Sequence, residues 1–218
     1  MTIRTFPYGP LGSNLYLIEH NDRYLVIDPA VRPAKCGFEE YIGKVEAIII
    51  THGHFDHILF ADLWQQEAQK ASEKTVPVYI HKLDMPALTD PQINLSYEFG
   101  LTDVVAADPC DIYDIDGQIL LGDDSDGLRV KVIHTPGHSR GEVCVVFEEI
   151  KTGKAHMFTG DMLFAGSVGR SDFDGSDPGD MMKSIEVLKS LETDYKIYPG
   201  HGPSTTLEYE KKHNPYFL

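Results

Sequence analysis

An apolar run at residues 45–50, VEAIII, leads straight into Thr51-His52-Gly53-His54-Phe55-Asp56-His57. A short run rich in isoleucine reads as a buried strand. Placing three histidines and an aspartate at its end crowds polar groups against the core, which no purely structural purpose explains. Residues 58–74 follow with helical spacing, Leu59, Leu63, Trp64 and Ala68 on one face, with Gln65, Glu67, Gln69 and Lys70 elsewhere. The cluster therefore sits on a loop from a strand into a helix. Imidazole nitrogens and carboxylate oxygens in this density are ligands for zinc, iron or manganese. Residues two apart at an extended strand end point to the same side, so His52 and His54 can grip one ion. The turn into the helix aims Asp56 and His57 at a position beside it. Gly53 permits close backbone approach where a side chain would clash.

The rest of the chain supplies more of the same. Thr135-Pro136-Gly137-His138 and Tyr198-Pro199-Gly200-His201 each follow a strand-like run, force a tight turn with Pro-Gly and present a histidine. Thr159-Gly160-Asp161 follows the strand-like residues 156–158, and a carboxylate there can bridge two ions, one oxygen to each. His20, His81, His156 and His213 read as ordinary solvated histidines, and His134 as packed or hydrogen-bonded.

Other patterns fix the organisation. Residues 14–19 and 24–27 read as strands joined by a hairpin turn at Asn21-Asp22. Further strands are expected at 76–80, 118–121, 128–133, 143–147, 156–158 and 195–198, with helices at 180–191 and 205–212. Residues 82–109 are irregular, with a short helix at their start, and their apolar side chains suit a lid or binding loop. No low-complexity linker separates the halves. The expectation is one domain, 1–218, of two β-rich halves, about 1–107 and 108–218, with helices outside two facing sheets.

Composition narrows the chemistry. A net charge of −15, from 19 Lys+Arg against 34 Asp+Glu, disfavours nucleic acid as a partner. The three cysteines, Cys36, Cys110 and Cys144, are too few and too scattered for a disulfide framework or zinc ribbon, and Cys144 reads as core. No run of about 18 apolar residues suggests a membrane span, and no secretory leader is visible, so a cytoplasmic location is expected.

THGHFDH resembles the HxHxDH signature of the metallo-β-lactamase fold superfamily, and TPGH138, GD161 and PGH201 match that family's remaining motifs in order. The resemblance covers nearly the whole chain and implies an α/β fold, the four-layer αββα sandwich. By position it implies that His52, His54 and His138 hold one metal, that Asp56, His57 and His201 hold a second, and that Asp161 bridges them. Val26-Ile27-Asp28-Pro29 resembles the family's early aspartate-bearing strand end. Asp28 is then either a group orienting the metal loop or a turn-former before Pro29. Within the superfamily, Gly160-Asp161-Met162-Leu163-Phe164, Gly169-Arg170-Ser171-Asp172-Phe173, His201-Gly202-Pro203 and the closing Asn214-Pro215-Tyr216-Phe217-Leu218 are similar to the glyoxalase II-like branch. The chain ends about 17 residues after His201, without that branch's C-terminal helical domain.

The resemblance implies hydrolysis of a thioester or related small acyl compound through a hydroxide bridging two divalent metals, zinc first among them, with Asp56 orienting the nucleophile. Arg170 either grips an anionic substrate group or pairs with Asp172 or Asp174. Phe164 and Phe173 either line the pocket or belong to the core. Alternatives on the same scaffold are a lactonase or β-lactamase, and a persulfide dioxygenase using one iron. From another class comes a non-catalytic metal-binding module, against which the intact Asp56 weighs.

Overall fold

A computed structural model describes residues 1–101, 108–115 and 127–218. By contact the chain divides into two compact units, Met1–Asp114 and Ile115–Leu218. In the first, β1 (Thr2–Tyr8) pairs antiparallel with β2 (Ser13–His20), which pairs antiparallel with β3 (Arg23–Ile27). The hairpin between β2 and β3 turns on Asn21 (φ 51°) and Asp22 (φ 62°). Two consecutive left-handed residues are what a tight hairpin requires, and Asn and Asp tolerate them. The strands β4 (Val45–Ile49), β5 (Val78–Ile80) and β6 (Ile112–Asp114) add in parallel, giving the order β1-β2-β3-β4-β5-β6.

β1 and β6 were not visible as strands in the sequence. β1 is an edge strand whose partly buried residues, Ile3 and Phe6, do not alternate with period two. β6 is exposed throughout its length. Neither carries the apolar rhythm by which a strand is recognised.

One face of the first sheet, from Leu15, Leu17, Val26, Ile48 and Ile50, packs on Phe38, Ile58, Trp64 and Ala68. The indole Nε1 of Trp64 donates to the Val31 carbonyl at 2.6 Å, satisfying the polar atom of a fully buried ring. The helix expected over 58–74 is two helices, α1 (Phe55–Ile58) and α2 (Ala61–Ser72). The break has a cause: Phe60 leaves helical geometry (φ −127°, ψ 25°) and its N–H donates to Pro29 O at 3.0 Å, outside the helix. Gln65, expected away from the apolar face, is buried. Its side-chain amide donates to the carbonyls of Val76 and Cys110, and its oxygen accepts from Cys110 N. A polar side chain is thus buried because it replaces ladder partners for two strand ends.

In the second unit the order is β11-β10-β9-β8-β7. β7 (Leu128–His134), β8 (Val143–Glu149) and β9 (Ala155–Gly160) run antiparallel. β10 (Lys196–Pro199) joins β9 in parallel and β11 (Thr205–Thr206) closes on β10. The helix α3 (Pro178–Ser190) brings Met181, Ile185 and Leu188 onto Cys144, Val146, Met157 and Ile197. α4 (Leu207–His213) adds Leu207, and Phe217 follows it into the same core. The strand expected at 118–121 and the end of the lid segment at 102–107 lie outside the described residues. No helix among the described residues is long and apolar enough to cross a membrane.

Candidate functional site

In the first unit the loop after β4 gathers His52, His54, Asp56 and His57. His52 and His57 are fully buried and His54 nearly so. Ring centroids of His52 lie 4.7 Å from His54 and 4.2 Å from His57. A nitrogen of His52 comes within 4.8 Å of one on His54 and of one on His57. The spacing argument for Gly53 holds: a Cβ there would lie 2.4 Å from Ala87 Cβ.

Asp28 organises this cluster. Its carboxylate is 1% exposed and sits at φ 48° just past the end of β3. Oδ1 accepts from Thr51 N at 2.8 Å, and Oδ2 accepts from Thr51 Oγ1 at 2.7 Å and from His57 Nδ1 at 3.0 Å. Thr51 Oγ1 also lies 3.1 Å from His52 Nδ1. A hydroxyl has one proton, and here Asp28 takes it, so Thr51 accepts from His52. One carboxylate thereby sets both His52 and His57 as the tautomer protonated on Nδ1, with Nε2 as the donor atom for a metal. Asp28 both forms a turn before Pro29, where Ala30 N donates to its carbonyl, and bonds into the histidine loop. The left-handed turn is the geometry that delivers it.

Further groups hold the loop. Gly53 N donates to Asp84 Oδ2 at 2.9 Å, and Phe55 N donates to the Asn94 carbonyl at 3.0 Å. The described part of the expected lid segment, residues 82–101, thus has a buried spine of Asp84, Ala87, Leu88 and Asn94 that braces the histidine loop. It forms two short 3-10 turns, Met85–Leu88 and Ser96–Phe99. Ser13 Oγ donates to Asp56 Oδ2 at 2.6 Å, and the same oxygen lies 3.5 Å from His57 Nε2.

In the second unit three strand ends meet. Asp161 Oδ2 lies 3.4 Å from His138 Nε2 and 3.3 Å from His201 Nε2. A single carboxylate oxygen, rather than one oxygen for each side, is thus placed evenly between the two imidazoles. Gly200 N donates to Gly160 O at 2.6 Å, tying the loops of His201 and Asp161 together. His138 Nδ1 donates to the Arg170 carbonyl at 2.7 Å, so this histidine too presents Nε2. Glu142, fully buried, accepts from Asp161 N through Oε1 at 2.7 Å. Two glycines permit the packing: a Cβ at Gly137 would meet Met181 Cα at 2.5 Å, and one at Gly169 would meet the Asp161 carbonyl at 2.1 Å.

The three residues expected to touch substrate divide. Phe164 and Phe173 are half-buried, each edge-on to a histidine at 5.9 Å, Phe164 to His201 and Phe173 to His138. Arg170 is exposed and makes a two-point pair with Asp172, both contacts 2.9 Å, with its guanidinium 4.2 Å above the Phe173 ring. The salt-bridge reading is the one observed, with Asp172 rather than Asp174.

The remaining histidines do not all behave as solvated groups. His81 is 2% exposed, and its Nδ1 accepts from Leu83 N at 3.3 Å. His156 is partly buried between Glu149 and Tyr198. His134 is exposed, with Nε2 hydrogen-bonded to Arg140 O, and His213 stacks on Tyr209.

Sequence reasoning missed Ser13, Asp84 and Glu142. Each bonds a candidate ligand or its loop through one hydrogen bond, and no periodicity marks such a residue.

The donor chemistry of both clusters fits divalent ions. His52, His57 and His138 present Nε2 with Nδ1 anchored, carboxylate oxygens of Asp56 and Asp161 lie beside histidine Nε2 atoms, and glycines sit where a side chain would intrude.

The model of the metallo-beta-lactamase superfamily matches residues 8–201, which include every residue of both clusters. The hydroxyacylglutathione hydrolase GloC of Haemophilus influenzae is 30% identical over 99% of this chain and 98% of its own. Among solved structures, the BLEG-1 B3 metallo-beta-lactamase is similar with a TM-score of 0.80 and 29% identity, covering 100% of both chains. A di-iron-bound form of TTHA1623 is similar with a TM-score of 0.77 and 33% identity, covering 98% of this chain and 99% of that one. With its two sheets, flanking helices and histidine–aspartate motifs, this chain belongs to the metallo-beta-lactamase superfamily.

Proposed function

We propose that the two clusters act together as one dinuclear site and that the protein is a thioester hydrolase of glyoxalase II-like type. His52, His54 and His138 would hold one ion and Asp56, His57 and His201 the other, with Asp161 serving both. The observation that carries the reading is Asp161 Oδ2 at 3.4 and 3.3 Å from the Nε2 atoms of His138 and His201. The Nδ1-anchored His52, His57 and His138 and the family model across both clusters support it. Zinc suits the donor set; the di-iron form of TTHA1623 makes iron the alternative.

Bound divalent ions supply Lewis acidity toward a carbonyl and acidify water. The chain's own groups do the rest. Asp56, steadied by Ser13 Oγ, accepts a hydrogen bond from the attacking water and fixes its direction. Asp28 keeps the Nε2 atoms of His52 and His57 free of protons. Phe164 and Phe173 form apolar walls beside His201 and His138 and limit competing water. A thiolate leaves without needing a proton, so the lack of a further acid among the assigned residues suits a thioester. The full-length similarity to GloC points to the same class, a small thiol ester.

The similarity to BLEG-1 favours a second reading, opening of a β-lactam by the same attack on a carbonyl. Turnover by zinc- and iron-loaded protein of S-lactoylglutathione, simple acyl thioesters, lactones and β-lactams separates the two. Absence of metal-dependent turnover of any thioester refutes the proposal. Asp161→Asn should lose metal and activity together; activity that outlasts the metal refutes the dinuclear reading.

A further inference from the structure

The closing residues do more than end the chain. Glu210 and Asn214 are both fully buried polar side chains near the C-terminus, on and just after α4. Glu210 Oε1 accepts from Thr205 Oγ1 at 2.6 Å. Its Oε2 accepts from Gly166 N at 2.8 Å and from Asn214 Nδ2 at 2.9 Å. Asn214 Nδ2 donates also to the Ser167 carbonyl at 3.0 Å. Two side chains thus grip the backbone of residues 166 and 167 from both its donor and its acceptor side.

Those two residues are the apex of the segment 162–170, and its other points all bear on the second cluster. It leaves Asp161 directly. Phe164, bridged to Ser167, stands edge-on to His201. Gly169 returns so close that a Cβ would overlap the Asp161 carbonyl, and Arg170 O receives the His138 Nδ1 proton. The loop is therefore one span touching all three site residues of this unit, with its apex fastened by two buried side chains.

We propose that Glu210 and Asn214 are positioning residues: the C-terminal segment clamps the 162–170 loop and so fixes the Phe164 wall beside His201 and the carbonyl that orients His138. The clamp itself stands on geometry alone; its kinetic consequence rests on the hydrolase reading.

The test uses the full chain with Asn214→Ala, Glu210→Gln, and Tyr216→Ala as a control on an exposed neighbour (51% exposed). Three readouts are taken: amide hydrogen exchange of residues 164–168, zinc affinity by chelator competition, and KM and kcat on whichever thioester or lactam the wild type turns over. Losing one or two buried hydrogen bonds should speed local exchange about fivefold to tenfold without shifting exchange in β8 and β9. It should raise KM about fivefold with kcat changed less than about twofold, and weaken zinc binding about threefold. Glu210→Gln keeps an acceptor and should lie between wild type and Asn214→Ala, while Tyr216→Ala should match wild type. Combined with Phe164→Ala, the KM effect of Asn214→Ala should be non-additive, because both act through one ring.

Unchanged exchange at 164–168 overturns the clamp. Faster exchange with unchanged KM and zinc affinity reduces it to a structural fastening and overturns the positioning role. If Glu210→Gln does not fold, Asn214→Ala decides alone. If no substrate is turned over, the hydrolase reading fails, and exchange with zinc affinity still decides the clamp.

Discussion

Replacing Asp28 by asparagine tests whether one carboxylate sets the protonation of two ligands. The substitution is nearly isosteric, and asparagine tolerates the left-handed φ of 48° at this position, so the backbone is left alone. Thr51 N still finds an oxygen. The amide NH2, however, takes the place of Oδ2, which in the wild type accepts from Thr51 Oγ1 at 2.7 Å and His57 Nδ1 at 3.0 Å. A donor there faces the Nδ1 proton of His57, which must move to Nε2 for the contact to survive. Thr51 Oγ1 then accepts from the new amide and turns its own proton toward His52 Nδ1, 3.1 Å away. Both rings are thereby pushed to the tautomer that blocks Nε2. Loss of such an outer partner weakens metal binding about 10-fold to 100-fold. Two histidines affected at about tenfold each give about 100-fold, or about 2.7 kcal/mol. Competition with a chromophoric zinc chelator at neutral pH measures this, and calorimetry of the metal-free proteins checks that the fold is intact. Zinc affinity within about threefold of wild type, in a protein that melts normally, would refute the tautomer argument.

Three further outcomes follow from the packing and the buried groups. Gly53→Ala places a Cβ 2.4 Å from Ala87 Cβ against buried backbone, and should cost about 1–3 kcal/mol of stability by thermal melting; a neutral effect would mean the loop is not braced by the 84–94 segment. Burial, opposed in part by Glu149, holds the His156 imidazole below its ordinary value of 6.5, so the unfolded chain binds the extra proton first. Stability should therefore fall as pH drops below about 6.5, and His156→Gln should flatten that slope relative to wild type in urea titrations; parallel slopes would contradict it. Burial pushes the thiol of Cys144 up to about 12, whereas Cys110 is exposed, so a maleimide at about pH 8 should label Cys110 in the native protein and Cys144 only after unfolding, as peptide mass mapping would show.

What could be read in advance divides along physical lines. The strand at β4, the hairpin turn at Asn21-Asp22 and the helix α3 announce themselves because burial imposes a period on the chain. The candidate ligands announce themselves because their side chains have no other reason to crowd a strand end. β1 and β6 gave no such signal, since edge strands bury little. The break at Phe60 was hidden for a different reason: the apolar spacing continues across it, and only the hydrogen bond from Phe60 N to Pro29 O, made by a segment distant in sequence, redirects the helix.

The same distinction separates the donor atoms from what holds them. His52 and His57 are legible as residue types, but which nitrogen each presents depends on Asp28, more than twenty positions earlier, acting in part through a threonine hydroxyl. His138 depends on a backbone carbonyl at residue 170, which any residue there would equally supply. Asp161 is held by Glu142, whose own burial would have argued against a charged group had its hydrogen bond to Asp161 N been unseen. Each is a single long-range contact made by an ordinary residue type. A sequence pattern records chemistry that is unusual for its surroundings. It is silent where an ordinary residue becomes decisive through the one atom it faces, and the orientation of the candidate ligands His52, His57 and His138 is built from such contacts.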